Sequence, residues 1–453
     1  MNTDTLRGSN SKIISNSEVD ELFRHITVRA PMEVTLTDPD NLLEARDTFI
    51  ADEAMEHPNY TYTKLDAFTG CPDDILDKAL MELLAVIPEE EAIFYREYIE
   101  EYKRKYRLLE LMKAIRQTNG EEKLRLSEEF MTLNIEQYGA PDEQTFHSLL
   151  AETLSKIDDK SLSPEAQIIR HELSNMTPDG VDSSAEISRF IPSEATQAWM
   201  QEVAEALCGR WLDYLPDGDT ITPEQFKDCV EMILKDVGKS AEGWRVELAN
   251  TTDMKVIAID RLIKISNKRG TFTRQEVIDL IGHELGVHFL RSISGEDKRL
   301  RLLRLGLPGY HDDEEGLGRV MGMSLARKYR GSGGEHYISA GFAYFEHKNF
   351  REVYELNWRI KLLQLLEDDE KPTEEKILQA KNYAVRNTRR IFRGTDELPW
   401  FKDLSYYNGA NDVWQYLETI NGDDLQLALF LQGKVSISKR HQRVMLEAAD
   451  RGA

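Results

Sequence analysis

The sequence predicts a mainly helical α+β protein: a helical N-terminal region, then a domain that carries a small sheet. Apolar residues recur at three- and four-residue spacing over most of the chain. Short β-branched runs are confined to residues 244–265. Of the 453 residues 41% are hydrophobic and 30% charged, enough apolar material to close a core. The expected organisation is a polar tail over 1–30, a helical region over 31–180 and a second domain over 181–453.

From Asp73 to Gln117 the pattern is helical: Leu80, Leu83, Leu84 and Ile87, then Ile99, Tyr102, Tyr106 and Leu109. Residues 121–175 continue in the same style. Thr177–Asp182 is turn-rich and marks the boundary. Ser193–Cys208 and Pro223–Val237 read as helices, the second opened by Thr222 as cap and Pro223 at the first helical position. Trp244–Ala249, Lys255–Ile259 and Leu262–Ile265 read as strands. They precede a helix opened by Thr273 and Glu276, at capping-box spacing, with Val277, Ile278, Ile281 and Leu285 on its buried side. The remainder is helical with loops, including a glycine-rich patch at Gly331–Gly334.

Composition excludes several classes. The net charge of −24 disfavours nucleic acid, which wants a basic surface. No apolar run approaches the ~20 residues of a membrane helix. The N-terminus has no basic-then-apolar signal. The three cysteines, Cys71, Cys208 and Cys229, form no CxxC pair, which argues against a disulfide framework or thiolate zinc site. The expectation is a reduced, cytoplasmic protein without membrane or nucleic-acid partner. His171-Glu172 lacks a partner histidine, and Asp217-Gly218-Asp219 lacks the spacing of a calcium loop.

One segment carries chemistry: His283-Glu284-Leu285-Gly286-Val287-His288, an HExxxH. Zinc takes imidazole and carboxylate ligands in tetrahedral geometry and leaves one position for water at a catalytic site. Histidines four apart stand about 40° apart round a regular helix; five apart, about 140°. Convergence here therefore requires the helix to be bulged or overwound near Leu285–Val287, and Gly286 would ease it. The bland alternative is two histidines on an ordinary amphipathic helix.

A third ligand is on offer downstream in His311-Asp312-Asp313-Glu314-Glu315-Gly316-Leu317-Gly318-Arg319. Asp312 or Asp313 can cap a helix with Leu317, Val320, Met321 and Leu325 as its apolar stripe. Glu314 and Glu315 point about 100° apart, so only one can face an ion. Gly316 and Gly318 each cost roughly 1 kcal/mol of helix stability, and close approach to the histidine helix is the expected compensation. His311 is a further candidate ligand, and a Glu315–Arg319 pair the bland reading.

HExxxH followed some thirty residues later by Glu-Gly-Leu and a small residue resembles the microtubule-associated tyrosine carboxypeptidases. It also resembles their bacterial relatives, named for a Gln-Glu-Gly-Leu-Ala motif and for modulating flavohaemoglobin expression. Arg291, Arg393-Gly394 and Phe401–Tyr406 match further motifs of that family. Dipeptidyl peptidase III likewise has histidines five apart and a later Glu-Glu motif. The resemblance implies a zincin-like catalytic domain and one Zn2+ ion held by His283, His288 and Glu315, with Glu284 as general base.

Tyr406 is the candidate donor to the tetrahedral intermediate, because a phenol donates without carrying charge. Arg291, Arg390, Arg393 and Lys402 are candidates for a substrate's terminal carboxylate, with structural ion pairs as the alternative for each. The expected substrate is a peptide or protein C-terminus ending in tyrosine or another aromatic residue. The second reading is a regulatory zinc-binding protein without turnover. The eukaryotic relatives act on acidic tubulin tails; a −24 chain would repel such a tail unless the basic stretch Lys298–Arg304 lay beside the cleft. Tubulin is therefore not carried over.

Overall fold

The computed structural model describes residues 37–439 and 442, apart from 86, 179–180, 182–188, 252–253, 269, 297, 299, 330 and 396. The expected tail over 1–30 and part of the boundary at 177–182 lie outside the described residues.

Among the described residues the longer helices that come first are α1 (Pro39–Ala51), α2 (Asp73–Leu84), α3 (Glu89–Gln117), α4 (Gly120–Tyr138), α5 (Glu143–Asp158) and α6 (Pro164–Met176), with a single helical turn at Thr63–Asp66 between the first two. The helical pattern expected over 73–117 is carried by two helices, α2 and α3. Pro88 stands just before α3 in extended conformation, as proline favours at a helix start. Then come α7 (Glu194–Cys208) and α8 (Pro223–Val237). Ser193 accepts from the Thr196 N–H, and Thr222 makes a full capping box with Gln225.

The sheet follows. Strands β2 (Arg245–Ala249), β3 (Lys255–Ile257) and β4 (Leu262–Ser266) pair in the order β2-β4-β3, β2 parallel and β3 antiparallel to β4. Central β4 buries Leu262, Ile263, Ile265 and Ser266. A second pairing was not expected: β1 (Thr220–Ile221) lies antiparallel to β5 (Phe272–Thr273). Two residues per strand are too few to show an alternating pattern.

From Thr273 the chain enters a continuous rod: α9 (Arg274–Leu280), a π-helical stretch (Ile281–Phe289) and α10 (Leu290–Glu296). Thr273 and Glu276 form the expected capping box. The longer helices after it are α11 (His311–Leu325), α12 (Gly334–Phe345), α13 (Phe350–Leu365), α14 (Glu374–Ile391), α15 (Ser405–Ile420) and α16 (Asp424–Leu431). The result is the mainly helical α+β architecture with a small sheet.

Among the described residues two apolar clusters form the core. The first gathers Tyr95 and Tyr106 of α3, Met200, Trp211, Phe226, Ile263, Leu285, Val320 and Trp414. The second gathers Leu109 and Met112 of α3, Phe130, Phe146, Phe342, Tyr354 and Trp400. Both draw on residues from either side of position 180, so the expected division into 31–180 and 181–453 does not coincide with the cores. Helix α3, about 43 Å long at 1.5 Å per residue, feeds the first cluster as far as Tyr106 and the second from Leu108 onward.

Candidate metal centre

The rod is bulged where its histidines sit. The Leu290 N–H reaches the Leu285 carbonyl five residues back, the bond that defines a π turn. This widened turn brings His283 and His288 to one side. Their ring centroids are 4.9 Å apart at an interplanar angle of 78°. The sheet backs the rod: Trp244 meets Phe289 edge-on at 4.9 Å, and Gly286 packs on Cys208 of α7, where a Cβ would lie 2.8 Å from Sγ.

Helix α11 crosses the rod at Gly318 and Gly322. A Cβ on Gly318 would fall 2.7 Å from the His283 ring. Gly316 does something other than expected: its added Cβ would lie 2.1 Å from the Gly409 carbonyl oxygen, so its close approach is to α15. The crossing places Glu315 over the histidines. Glu315 Oε2 is 3.4 Å from His283 Nε2 and 4.0 Å from His288 Nε2. One donor atom from each of the three residues lies within 4.8 Å of the others. Tetrahedral donors on a zinc sphere of about 2.1 Å stand roughly 3.4 Å apart, so the donor set and spacing suit that ion. The side chains are 13%, 12% and 15% exposed, enclosed but reachable. Burial works against the Glu315 charge, yet the hydrogen bond with His283 and the neighbouring histidines hold its carboxyl far below the usual range.

Glu284 is half-buried on the rod beside His283. Glu314, offset from Glu315 round α11, turns to the far side of His288, whose Nδ1–H donates to Glu314 Oε1 at 2.8 Å. Sequence reasoning did not find this role, although the angular offset between the two glutamates was its signal.

The cation candidates separate sharply. Arg291 corrects the expectation that it binds substrate. It is wholly buried, ion-paired with Glu314, and donates to the carbonyls of Gly433, Phe430 and Val435. Its guanidinium also lies 4.7 Å from the Phe430 ring centre. Arg393 is turned inward too, to Asp403 and to the Arg390 carbonyl. Arg390 donates to Asp403 (2.7 Å) and to the Tyr406 hydroxyl (3.2 Å) and remains 31% exposed.

Lys402 Nζ donates to His311 Nε2 at 3.0 Å. Burial brings Lys402 down to about 8. Burial, then the Lys402 charge, brings His311 down to about 3. His311 is therefore a neutral acceptor for Lys402 and is not one of the three converging donors. Burial, then the Glu315 charge, raises the Tyr406 phenol far above its usual value, so it stays protonated within electrostatic reach of the centre.

Two smaller expectations also change. Helix α11 has no aspartate cap; Asp313 instead accepts from the Ile437 N–H at 2.9 Å. The basic stretch is spent internally: Lys298 on Gln432, Arg301 on the Glu296 carbonyl, and Arg304 buried near Glu296. Arg299 lies outside the described residues.

Residues 194–324 match the family model described as microtubule-associated tyrosine carboxypeptidase. Over that segment the chain is similar to the family. The family match takes in His283, Glu284, His288, Glu314 and Glu315, and stops short of Arg390, Lys402 and Tyr406. No curated protein and no solved structure gives a significant match. No described helix is long and apolar enough to cross a membrane.

Proposed function

We propose that the chain is a zinc-dependent carboxypeptidase that releases the C-terminal residue of a peptide or protein, with tyrosine or another aromatic residue as the preferred leaving residue. One observation carries this reading: two imidazoles from a π turn and one carboxylate from a crossing helix converge within 4.8 Å, with Glu284 adjacent to the first imidazole. A zinc ion bound there would acidify a water from a pKa of 15.7 towards ~7.

The rest belongs to the protein's own groups. Glu284 takes the water proton and passes it to the leaving amine. The Tyr406 phenol, oriented by Arg390, donates to the developing oxyanion. Arg390, the candidate arginine with the most exposed side chain, takes the terminal carboxylate, with Lys402 adding positive charge. Edge strand β3, which packs on the π turn, offers backbone groups for strand addition by the substrate.

The test is metal analysis of the purified protein together with Glu284→Gln and a C-terminal peptide library read by mass spectrometry. One zinc per chain, and release of single C-terminal residues lost on Glu284→Gln, is the expected result. One zinc with no release from any peptide would overturn the enzyme reading in favour of the regulatory one. A His288→Ala protein that keeps its zinc would overturn both.

A further inference from the structure

Behind His288 lies a buried ion cluster that the chemistry above does not use. Glu314 is 2% exposed and is met by three basic side chains, two from the histidine rod and one from far along the chain. His288 Nδ1 comes from the π turn at 2.8 Å, Arg291 from the next helical turn, and Lys434 from the C-terminal stretch at 3.1 Å. That stretch is laced beneath the site. The Lys434 N–H donates to the Leu303 carbonyl and its carbonyl accepts from the Leu307 N–H, both at 2.8 Å. Arg291 holds the carbonyls of Phe430, Gly433 and Val435, and Asp313 holds the Ile437 N–H.

Burying one carboxylate with two cations is costly unless every hydrogen bond is satisfied. A neutral amide would suffice merely to hold an N–H. A carboxylate does something an amide cannot: ionised, it accepts only, so His288 must carry its proton on Nδ1 and present the Nε2 lone pair. Nε2 is the atom that faces Glu315.

We propose that Glu314 is a positioning residue for the metal centre, and that the stretch Phe430–Ile437 sets metal affinity through Arg291 and Lys434. The proposal rests on the zinc reading of the site. It gives a role to a part of the chain more than 100 residues beyond the family match, which ends at 324.

The test uses the full-length chain as wild type, Glu314→Ala, Glu314→Gln and Lys434→Met. Zinc dissociation constants come from competition with a chromogenic chelator. Apo-protein unfolding and the cobalt(II) absorption spectrum are recorded beside them. Glu314→Ala is expected to weaken zinc binding about 10- to 100-fold and to alter the cobalt spectrum. Glu314→Gln, which keeps an acceptor, falls between it and wild type. Lys434→Met, which touches no ligand, moves affinity in the same direction.

A purely structural role would lower apo stability and leave zinc affinity and the cobalt spectrum unchanged; that result overturns the proposal. Should Glu314→Ala fail to fold, the near-isosteric Glu314→Gln and Lys434→Met decide by the same criterion. A wild-type protein that binds no zinc overturns the metal reading itself, an outcome distinct from failure of the positioning role.

Discussion

Gly282 of the histidine rod and Gly322 of α11 meet backbone to backbone: a Cβ on Gly282 would lie 2.8 Å from the Gly322 Cα and 2.9 Å from the Met321 carbonyl oxygen. No side chain stands between the two elements at that point. The spacing of His283 and Glu315, one from each element, is therefore set by main-chain contact, which gives far less than a rotamer would.

Gly282→Ala should drive the two elements apart. Overpacking of this kind costs about 1–3 kcal/mol. The expected outcome is lower stability in urea together with weaker zinc retention. An unchanged unfolding midpoint would contradict the contact.

Arg291 and Arg390 should fail in different ways. Removing Arg291 leaves Glu314 buried against one fewer cation, and breaking a buried pair costs about 3–5 kcal/mol. Arg291→Ala is expected to lose stability before any kinetic effect is read. Arg390→Met should fold and raise KM for peptides with a free C-terminal carboxylate by roughly 10- to 100-fold, matching a charge-assisted hydrogen bond of about 1.5–3 kcal/mol. C-terminally amidated peptides are the control and should show no such change.

Acid should act partly through His311. Its folded value is about 3, against about 6.5 when unfolded. Between those values the unfolded chain binds a proton that the folded chain does not, so stability falls as pH drops from about 6.5 to 3. His311→Gln, which keeps an acceptor for Lys402, should flatten that part of the stability–pH curve measured by denaturant unfolding. An identical curve would show that His311 is free to protonate in the fold.

Thr273→Ala removes the hydroxyl half of the capping box at the start of the histidine rod and should cost about 1 kcal/mol. Thermal unfolding with and without zinc reads it.

Much of this was legible along the chain because it is local. Thr222, Thr273 and Ser193 announce their helices by spacing alone, and the β-branched runs from 244 to 265 announce the sheet. The five-residue histidine interval even demands the bulge near Leu285–Val287, since a regular helix would splay the rings. The misreadings come from distance in sequence. Arg291 looks like a ligand for substrate until Phe430–Val435 folds back over it, some 140 residues later. Gly316 looks committed to the histidine rod until Gly409 arrives on α15. Glu314 is hidden by its neighbour: nothing in an acidic pair says which member will turn to the back of an imidazole.

Helix α3 joins the two apolar clusters end to end, which bears on how the protein can be dissected. The segment that matches the family, 194–324, contributes residues to only part of one cluster and borrows Tyr95, Tyr98, Trp414 and Val435 to close it. Expressed alone, it would show the oily interior face of its helices to solvent and should precipitate. Grafting it into another scaffold would meet the same obstacle unless α3 and the C-terminal stretch travelled with it.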